Sequence, residues 1–428
     1  MNTSRFIATK VAFAGNKSFT NWIIRIAICA VALSLTVMIV AFSMISGFKK
    51  EISNKIFGFW GHIHITDYNI SRSIEASPIS INQDFLEDLD TLKSIHYQSP
   101  LKIIGRNIPG KFAFKTMDVD IKSVYPFAMA PAIVNSTKEF DGVIVRGLGK
   151  EYDWTQLEQY IQEGRKIEAQ DEVLISTRIA ERIKVEVGDY IILNVIKNGQ
   201  QIARRVTIAG TYRTGLEEYD RKFIISDLSK VQELLLWDSD QVAGFEIILG
   251  NLENLSTINE FIAFEILPTR LYSENIRDKF PNIFEWLDLQ DFNGGVILIL
   301  MILVALINMI TSVLILIIER SKMIGTLKAL GMKNWSIRTI FLYYSGYIIL
   351  YGLIIGNILG IGLCLLQKYT GFIKLDETNY YLSVAPVNLN VVTISLINLV
   401  AFIVILLFLT LPTYMISKLQ PVKILRFE

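Results

Sequence analysis

The sequence is poor in the residues that build disulfide frameworks and metal centres. Its 428 residues include only two cysteines and three histidines. Cys29 and Cys364 both fall in long apolar stretches, so the remainder of the chain has no disulfide and needs an ordinary hydrophobic core for its stability. His62 and His64 lie two apart on a predicted strand, but no cysteine or dense carboxylate cluster accompanies them. We therefore interpret them as ordinary strand positions and expect no metal site.

The short motifs of common enzymes are missing as well. Neither the nucleophile pattern G-x-S-x-G nor the zinc pattern H-E-x-x-H occurs. The segment Gly15-Asn16-Lys17-Ser18 lacks the first glycine and the loop of the phosphate-binding pattern G-x-x-x-x-G-K-[ST]. The net charge of +1 argues against a nucleic-acid partner. We expect a non-catalytic chain that binds no cofactor of its own.

Charge is absent from three runs that exceed the roughly 20 apolar residues needed to cross a bilayer as a helix. These runs are Gly295–Ile318, Ile340–Leu366 and Val391–Met415. A fourth run, Trp22–Ile45, contains a single charge, Arg25, near one end. It is longer than a cleaved signal peptide and no A-x-A-like cleavage site follows it. All four runs are predicted to be transmembrane helices.

Basic residues in the short flanks set the predicted orientation, because Lys and Arg favour the cytoplasmic side. Both termini and the loop after the second membrane helix are basic, whereas the loop after the third helix has balanced charges. The predicted order is a cytoplasmic segment 1–21, a first membrane helix and stalk 22–48, an external domain 49–291, a second membrane helix 292–318, a cytoplasmic loop 319–336, a third membrane helix 337–366, an external loop 367–390, a fourth membrane helix 391–415 and a cytoplasmic tail 416–428.

The external domain is predicted to be α+β, in two lobes with helical stalks. The stretches "HIHIT", "DEVLIST", "DYIILNVI", "KFIIS" and "GFEIIL" have the pattern of strands, and "RIAERIK" has that of a helix. Asn198-Gly199 lies between two strands, which is a strong hairpin signal. Asp227 is placed to cap the helix that follows "KFIIS".

The cytoplasmic stretch "ERSKMIGTLKALGM", Glu319 to Met332, is half apolar and basic. As a helix it would carry Met323, Ile324, Leu327 and Leu330 on one face. Gly331 would end this helix, and Asn334 would cap the next one. The pattern is compatible with two interpretations, a helix that docks on a partner or a basic loop that lies on lipid head groups.

Small residues in the third membrane helix recur at a spacing of four, at Gly352, Gly356 and Gly360. Such a row lets helices approach closely, although a bend or a simply glycine-rich helix would look the same. In the second membrane helix, Asn308 is the strongly polar side chain near mid-membrane. We predict an interhelical hydrogen bond there rather than a contact with a substrate.

Five stretches of the sequence resemble those of a known family. "LMILVALINMITSVLILIIERSKMIGTLKALGM", "SMISGFKKEI", "ISTRIAERIKVEVGDYIIL", "GLEEYDRKFIISDLSKVQELL" and the ending "LQPVKILRFE" look like the permease subunits of lipoprotein-releasing ABC transporters. That group belongs with macrolide-exporter and cell-division permeases, and the likeness covers essentially the whole chain. It implies a membrane protein with four transmembrane helices, one before and three after a large α+β periplasmic domain.

The resemblance also implies partners. Two permease subunits, copies of this chain or paralogues, would sit on an ABC ATPase dimer that binds ATP and Mg. Met323, Ile324 and Leu327 would enter a groove of the ATPase, with Arg320 and Lys328 making polar contacts. The coupling helix implied in this way comprises Glu319, Arg320, Met323, Ile324, Leu327, Lys328, Leu330 and Gly331.

The function implied is the release of lipoproteins from the inner membrane toward the outer membrane, with a periplasmic carrier as a further partner. Met44, Ile45 and Phe48 would line the access route for lipid or cargo beside the second helix. Some relatives grip the carrier with a long proline-containing hairpin, whereas here the hairpin tip is the short pair Asn198 and Gly199. Carrier docking there therefore stays open. The alternatives are a related exporter or mechanotransmission permease that acts on another cargo or periplasmic partner, and a membrane-anchored sensor without transport.

Overall fold

The computed structural model describes residues 19–69, 77–103, 106–197, 199–252, 254–376 and 380–418. Several predicted features lie outside these residues: most of the basic N-terminal segment, Asn198 and the ending "LQPVKILRFE". The chain divides into two compact units. The membrane unit comprises the chain up to Glu51, Glu285–Leu375 and the chain from Val384 onward. The external unit comprises Ile52–Phe284 and Asp376–Ser383.

The helices are α1 Phe19–Trp60, α2 Phe85–Thr91, α3 Thr155–Glu158, α4 Thr177–Ile183, α5 Glu217–Asp220, α6 Leu228–Leu235, α7 Leu255–Phe261, α8 Ile276–Lys279, α9 Pro281–Glu319, α10 Ser321–Ala329, α11 Asn334–Thr370, α12 Val391–Phe408, α13 Thr410–Thr413 and α14 Met415–Lys418. A π-helical turn, Ile262–Ile266, continues α7. The strands are β1 Ile63–Asp67, β2 Ile79–Ser80, β3 Ser94–Ile103, β4 Arg106–Asp118, β5 Ile121–Asn135, β6 Phe140–Leu148, β7 Ile161–Gly164, β8 Glu172–Ser176, β9 Tyr190–Lys197, β10 Gln200–Tyr212, β11 Phe223–Asp227, β12 Gln241–Val242, β13 Gly244–Leu249 and β14 Leu271–Asn275.

Four helical stretches are long and apolar enough to cross a membrane, which confirms the predicted arrangement of one helix before and three after the external domain. They are Trp22–Trp60, Pro281–Glu319, Asn334–Thr370 and Val391–Thr413. The helices α1 and α9 contain 42 and 39 residues. At about 1.5 Å per residue each is about twice as long as a bilayer core is thick. Each therefore continues beyond the membrane as a stalk.

The membrane unit is held together by apolar side chains from all four spanning helices. Leu35 of α1, Met309 of α9, Phe341 of α11 and Ile405 of α12 are buried in one cluster. Burial on the inner faces and exposure of the outer apolar side chains is the pattern expected of helices whose outer surface meets lipid.

The external unit is built on a ten-stranded mixed sheet. Its order is β14-β1-β13-β5-β6-β11-β8-β10-β7, and β9 pairs with both β10 and β5. The pairs β11–β6 and β10–β8 are parallel, and the other pairs are antiparallel. Four of the five residues of β11 are buried, because α6 covers this part of the sheet. Asp227 caps α6 by accepting a hydrogen bond from the Ser229 backbone N–H at 2.9 Å, as predicted.

The predicted hairpin forms, since Lys197 of β9 faces Gln200 of β10 and Gly199 has a φ of +74°. The external residues fall in one compact unit, and its division into two lobes stays a prediction. The external unit also includes Asp376–Ser383 from the loop between α11 and α12, where the Lys55 ammonium donates to the Tyr381 carbonyl at 3.0 Å.

Candidate functional site

The cytoplasmic segment predicted to be a coupling helix forms the nine-residue helix α10. Glu319 is the last residue of α9, and Arg320 is the non-helical residue that precedes α10. Leu330 and Gly331 follow the helix, and the φ of +88° at Gly331 favours glycine and ends it. Asn334 is the first residue of α11, whereas Lys333 occupies the capping position, so the predicted Asn334 cap is wrong. A short helix is thus joined directly to two membrane helices.

The apolar face of α10 points inward. Ile324 is fully buried in the core of the membrane unit, and Met323 and Leu327 are half-buried against the same core. Ile324 is therefore covered by the membrane unit itself, whereas the contact of Met323 and Leu327 with a partner stays a prediction. Helical periodicity indicated the apolar face. In the structure that face packs against the membrane unit, because its burial removes apolar surface from water.

The outer face of α10 consists of Lys322, Thr326, Ala329 and Leu330, with the neighbouring Lys333 and Trp335. All six residues are exposed. Leu330 is 79% exposed and Trp335 70% exposed. Two large apolar side chains flanked by lysines are the composition expected of a docking surface for a protein. Sequence reasoning missed Trp335, because it lies in the next helix and outside the heptad-like face of α10.

Lys328 binds within the chain. Its ammonium donates to the Ile416 carbonyl of α14 at 2.6 Å, and the Arg338 guanidinium lies 4.6 Å from the ring centre of Tyr414. Burial, together with the nearby Arg338, lowers the pKa of the Lys328 amine. Lys328 was expected to contact a partner; here it ties α10 to the end of the last helix. Arg320 is half-buried.

The residues predicted to line an access route belong to α1, and two of them contact α9. Ile45 faces Gly294, where an added Cβ would be 3.1 Å from the Ile45 Cδ1 atom. Phe48 packs edge-on against Trp286 with ring centres 5.4 Å apart. Met44 is half-buried. Beyond them, Lys49 makes an ion pair with Asp288 at 3.3 Å, and a second with Asp291.

The three glycines of α11 face α1. A Cβ added at Gly352 would lie 2.7 Å from the Val31 Cγ1 atom, and one at Gly356 would lie 2.8 Å from the Ala32 carbonyl oxygen. At Gly360 the nearest atom would be the Ile39 Cβ at 3.1 Å. The backbones of α1 and α11 can approach this closely only because these positions have no side chain.

The polar contact within the membrane unit is made by side chains other than Asn308, whose predicted interhelical hydrogen bond stays a prediction. Asn308 is half-buried, and in the described part of the chain its side chain has no hydrogen bond. The interhelical amide contact is instead made by Asn357 of α11 and Asn398 of α12. They exchange hydrogen bonds of 2.7 and 3.0 Å. Their separation of 41 residues carries no local pattern, so sequence reasoning could not pair them.

The two strand histidines are buried and have partners within the external unit. The His62 Nδ1 atom accepts from the Leu249 backbone N–H at 2.8 Å, and burial, with Lys122 second, lowers the pKa of His62 to about 4. Burial, followed by the Lys279 charge, holds the pKa of His64 well below its usual value. No group of three or more potential metal ligands occurs in the residues that the structure describes.

Two family models match different parts of the chain. Residues 26–260, more than half of the 428-residue chain, match the MacB-like periplasmic core domain. Residues 295–421 match the FtsX-like permease C-terminal region. The chain belongs to the family of permeases with a MacB-like periplasmic core domain. It is therefore a membrane protein with a periplasmic domain between its first and second membrane helices.

Relatives of this permease match it over nearly its whole length. It is 24% identical to the lipoprotein-releasing system transmembrane protein LolE of Haemophilus influenzae, over 99% of both chains. It is 20% identical to the lipoprotein-releasing system transmembrane protein LolC of Xylella fastidiosa, over 96% of this chain and 95% of the relative. The periplasmic region of MacB from Actinobacillus actinomycetemcomitans shows 12% identity and a TM-score of 0.32, covering 52% of this permease and 92% of that chain.

Proposed function

We propose that this permease releases lipoproteins from the inner membrane toward the outer membrane, driven by ATP that a separate ABC ATPase hydrolyses. The observation that carries the proposal is the end-to-end match to lipoprotein-releasing permeases. ATP and Mg bind to the ATPase, in line with the missing phosphate-binding pattern in this chain. A second permease subunit, either a copy or a paralogue, completes the transporter.

The outer face of α10 is the proposed contact with the ATPase. Leu330 and Trp335 are the anchors, because they are the large apolar side chains exposed at this end of α10. Lys322 and Lys333 flank them and favour an acidic rim on the ATPase. This assignment requires both termini and α10 to be cytoplasmic, as the basic flanks predict.

A push on α10 would reach the membrane helices α9 and α11 and the short helix α14. The helix is continuous in the chain with α9 and α11, separated from them by one to four residues. The hydrogen bond from Lys328 to the Ile416 carbonyl also connects α10 to α14. The inward packing of Ile324 leaves little room for α10 to rotate alone, because packed cores transmit displacement. ATPase closure would therefore tilt α9, α11 and α14 together.

The experiment that tests this function is depletion of the permease in its host, followed by separation of the inner and outer membranes. Lipoproteins accumulate in the inner membrane if the proposal holds, and the plasmid-borne wild-type gene restores their sorting. Normal sorting after depletion would contradict lipoprotein release. It would favour a related exporter or mechanotransmission permease with another cargo or periplasmic partner.

A further inference from the structure

Side chains of the external sheet bond to the last carbonyls of α1, which is the first stalk helix. The last carbonyls of a helix have no partners within the helix itself. At the end of α1, the Phe57 carbonyl accepts from the Gly61 N–H at 2.8 Å, with Gly61 at a φ of +68°. The Phe59 carbonyl accepts from the Arg146 guanidinium, and the Trp60 carbonyl lies 2.5 Å from the His64 Nε2 atom. Residues of β6 and β1 thus cap this helix.

Arg146 connects that helix end to a third strand. Its second nitrogen bonds the Glu246 carboxylate of β13 at 2.5 Å, and both side chains are almost completely buried. The guanidinium also lies 5.2 Å from the ring centres of Phe59 and Trp60. A buried ion pair contributes little net stability compared with apolar residues of the same size. What it supplies is a defined geometry among three elements.

The second stalk helix begins at the same cluster. Lys279, the last residue of α8, lies 4.7 Å from the Trp60 ring centre, and its ammonium is 3.3 Å from the His64 Nδ1 atom. The Phe280 ring is 6.0 Å from that of Trp60. Since α9 starts at Pro281, the end of α1 and the start of α9 share one buried set of contacts.

We propose that Arg146 is a positioning residue that joins both stalk helices to the external sheet. The stalk joint comprises Trp60, His64, Arg146, Glu246 and Lys279. Through it, a displacement of α1 or α9 moves the sheet directly. The end of α1 cannot slide without breaking the bond from Arg146 to the Phe59 carbonyl, and Glu246 holds that Arg146 side chain in place. Its purpose in transport rests on the proposed function, whereas its mechanical role does not.

The test replaces the ion pair by apolar residues of similar length, Arg146→Met with Glu246→Met, in the full-length chain with its ATPase in proteoliposomes. The matched control is Arg165→Met with Glu172→Met, because this is also an ion pair of arginine and glutamate, with two contacts of 2.9 and 2.5 Å, but Arg165 is half exposed. Hydrogen exchange at residues 57–61 should rise about tenfold in the joint variant, with β11 unchanged. ATP hydrolysis should stay within about twofold, while lipoprotein release per ATP falls about tenfold.

Unchanged exchange at residues 57–61, or unchanged release per ATP in the joint variant, would overturn the proposal. If that variant does not fold, Arg146→Lys carries the same test, because an ammonium keeps the charge but cannot bridge two acceptors with a planar fork. Absence of lipoprotein release by the wild type would count against the proposed function alone, since the exchange measurement still decides whether the joint exists.

Discussion

At the scale of single residues, His62 makes the stability of the external unit depend on pH. Burial lowers its pKa from 6.5 to about 4. The unfolded chain binds a proton below about pH 6.5 and the folded chain does not, so stability is present above that pH and is lost as pH falls toward 4. At about 1.4 kcal/mol per pKa unit, the loss is about 3 kcal/mol.

Thermal unfolding of the purified permease between pH 7 and pH 4 measures this loss. The control is His62→Asn, which keeps an acceptor for the Leu249 N–H but does not titrate. The wild type should lose more stability than the variant across this range. Equal losses in the two proteins would show that His62 is not the responsible group.

Lys328 gives a second prediction at this scale. Lys328→Met removes the charged donor to the Ile416 carbonyl and should destabilise the end of the last helix by about 1 kcal/mol. This is below the roughly 1.5–3 kcal/mol of a charged hydrogen bond, because the site is half exposed. Hydrogen exchange at residues 411–416 reports the change, and Lys322→Met, at an exposed position of the same helix, is the control. Equal exchange in both variants would argue against a stabilising hydrogen bond from Lys328 to the Ile416 carbonyl.

At the scale of elements, the contact between α1 and α11 depends on missing side chains. Gly356→Ala should destabilise the membrane unit by about 1–3 kcal/mol, because the new Cβ would meet the Ala32 carbonyl, which belongs to the backbone and cannot rotate away. Gly362→Ala is the matched control on the same helix, since an added Cβ there meets no atom within 4 Å. Thermal melting in lipid nanodiscs compares them. A Gly356→Ala protein as stable as the Gly362→Ala protein would contradict the close approach.

The elements also show where sequence reasoning succeeds. Long apolar runs predicted four membrane helices, and local strand patterns predicted β1, β9 and β11, because both signals are local. Periodicity also gave α10 its apolar face. It could not tell whether Ile324 faces the membrane unit or a partner, since that depends on how α10 packs against helices far away in sequence.

Long-range pairs escaped prediction for the same reason. Arg146 and Glu246 are 100 residues apart, and Asn357 and Asn398 are 41 apart. Each residue alone looked like an ordinary polar position. Similarly, nothing in the loop after α11 indicated that Asp376–Ser383 belongs to the external unit, because its contact with Lys55 joins positions 326 residues apart.

At the scale of the whole molecule, we propose that this chain conveys movement that a separate ATPase drives. In the proposed mechanism, the outer face of α10 would receive the push of the ATPase, α9 and α11 would carry it, and the stalk joint would deliver it to the external sheet. The stalk joint uses buried or bonded residues of the external unit, whereas the outer face of α10 is exposed. The proposed contact with the ATPase is the step that connects this chain to its energy source.

The most direct test of that account is lipoprotein release from proteoliposomes that contain the permease and its ABC ATPase. Lipoprotein release should require ATP. It should fall about tenfold in a Leu330→Asp, Trp335→Asp variant, because charged residues at the anchors disrupt docking on the ATPase. Gly362→Ala should release lipoprotein like the wild type. Release without ATP, or full release by the variant with both anchors replaced, would contradict the central claim.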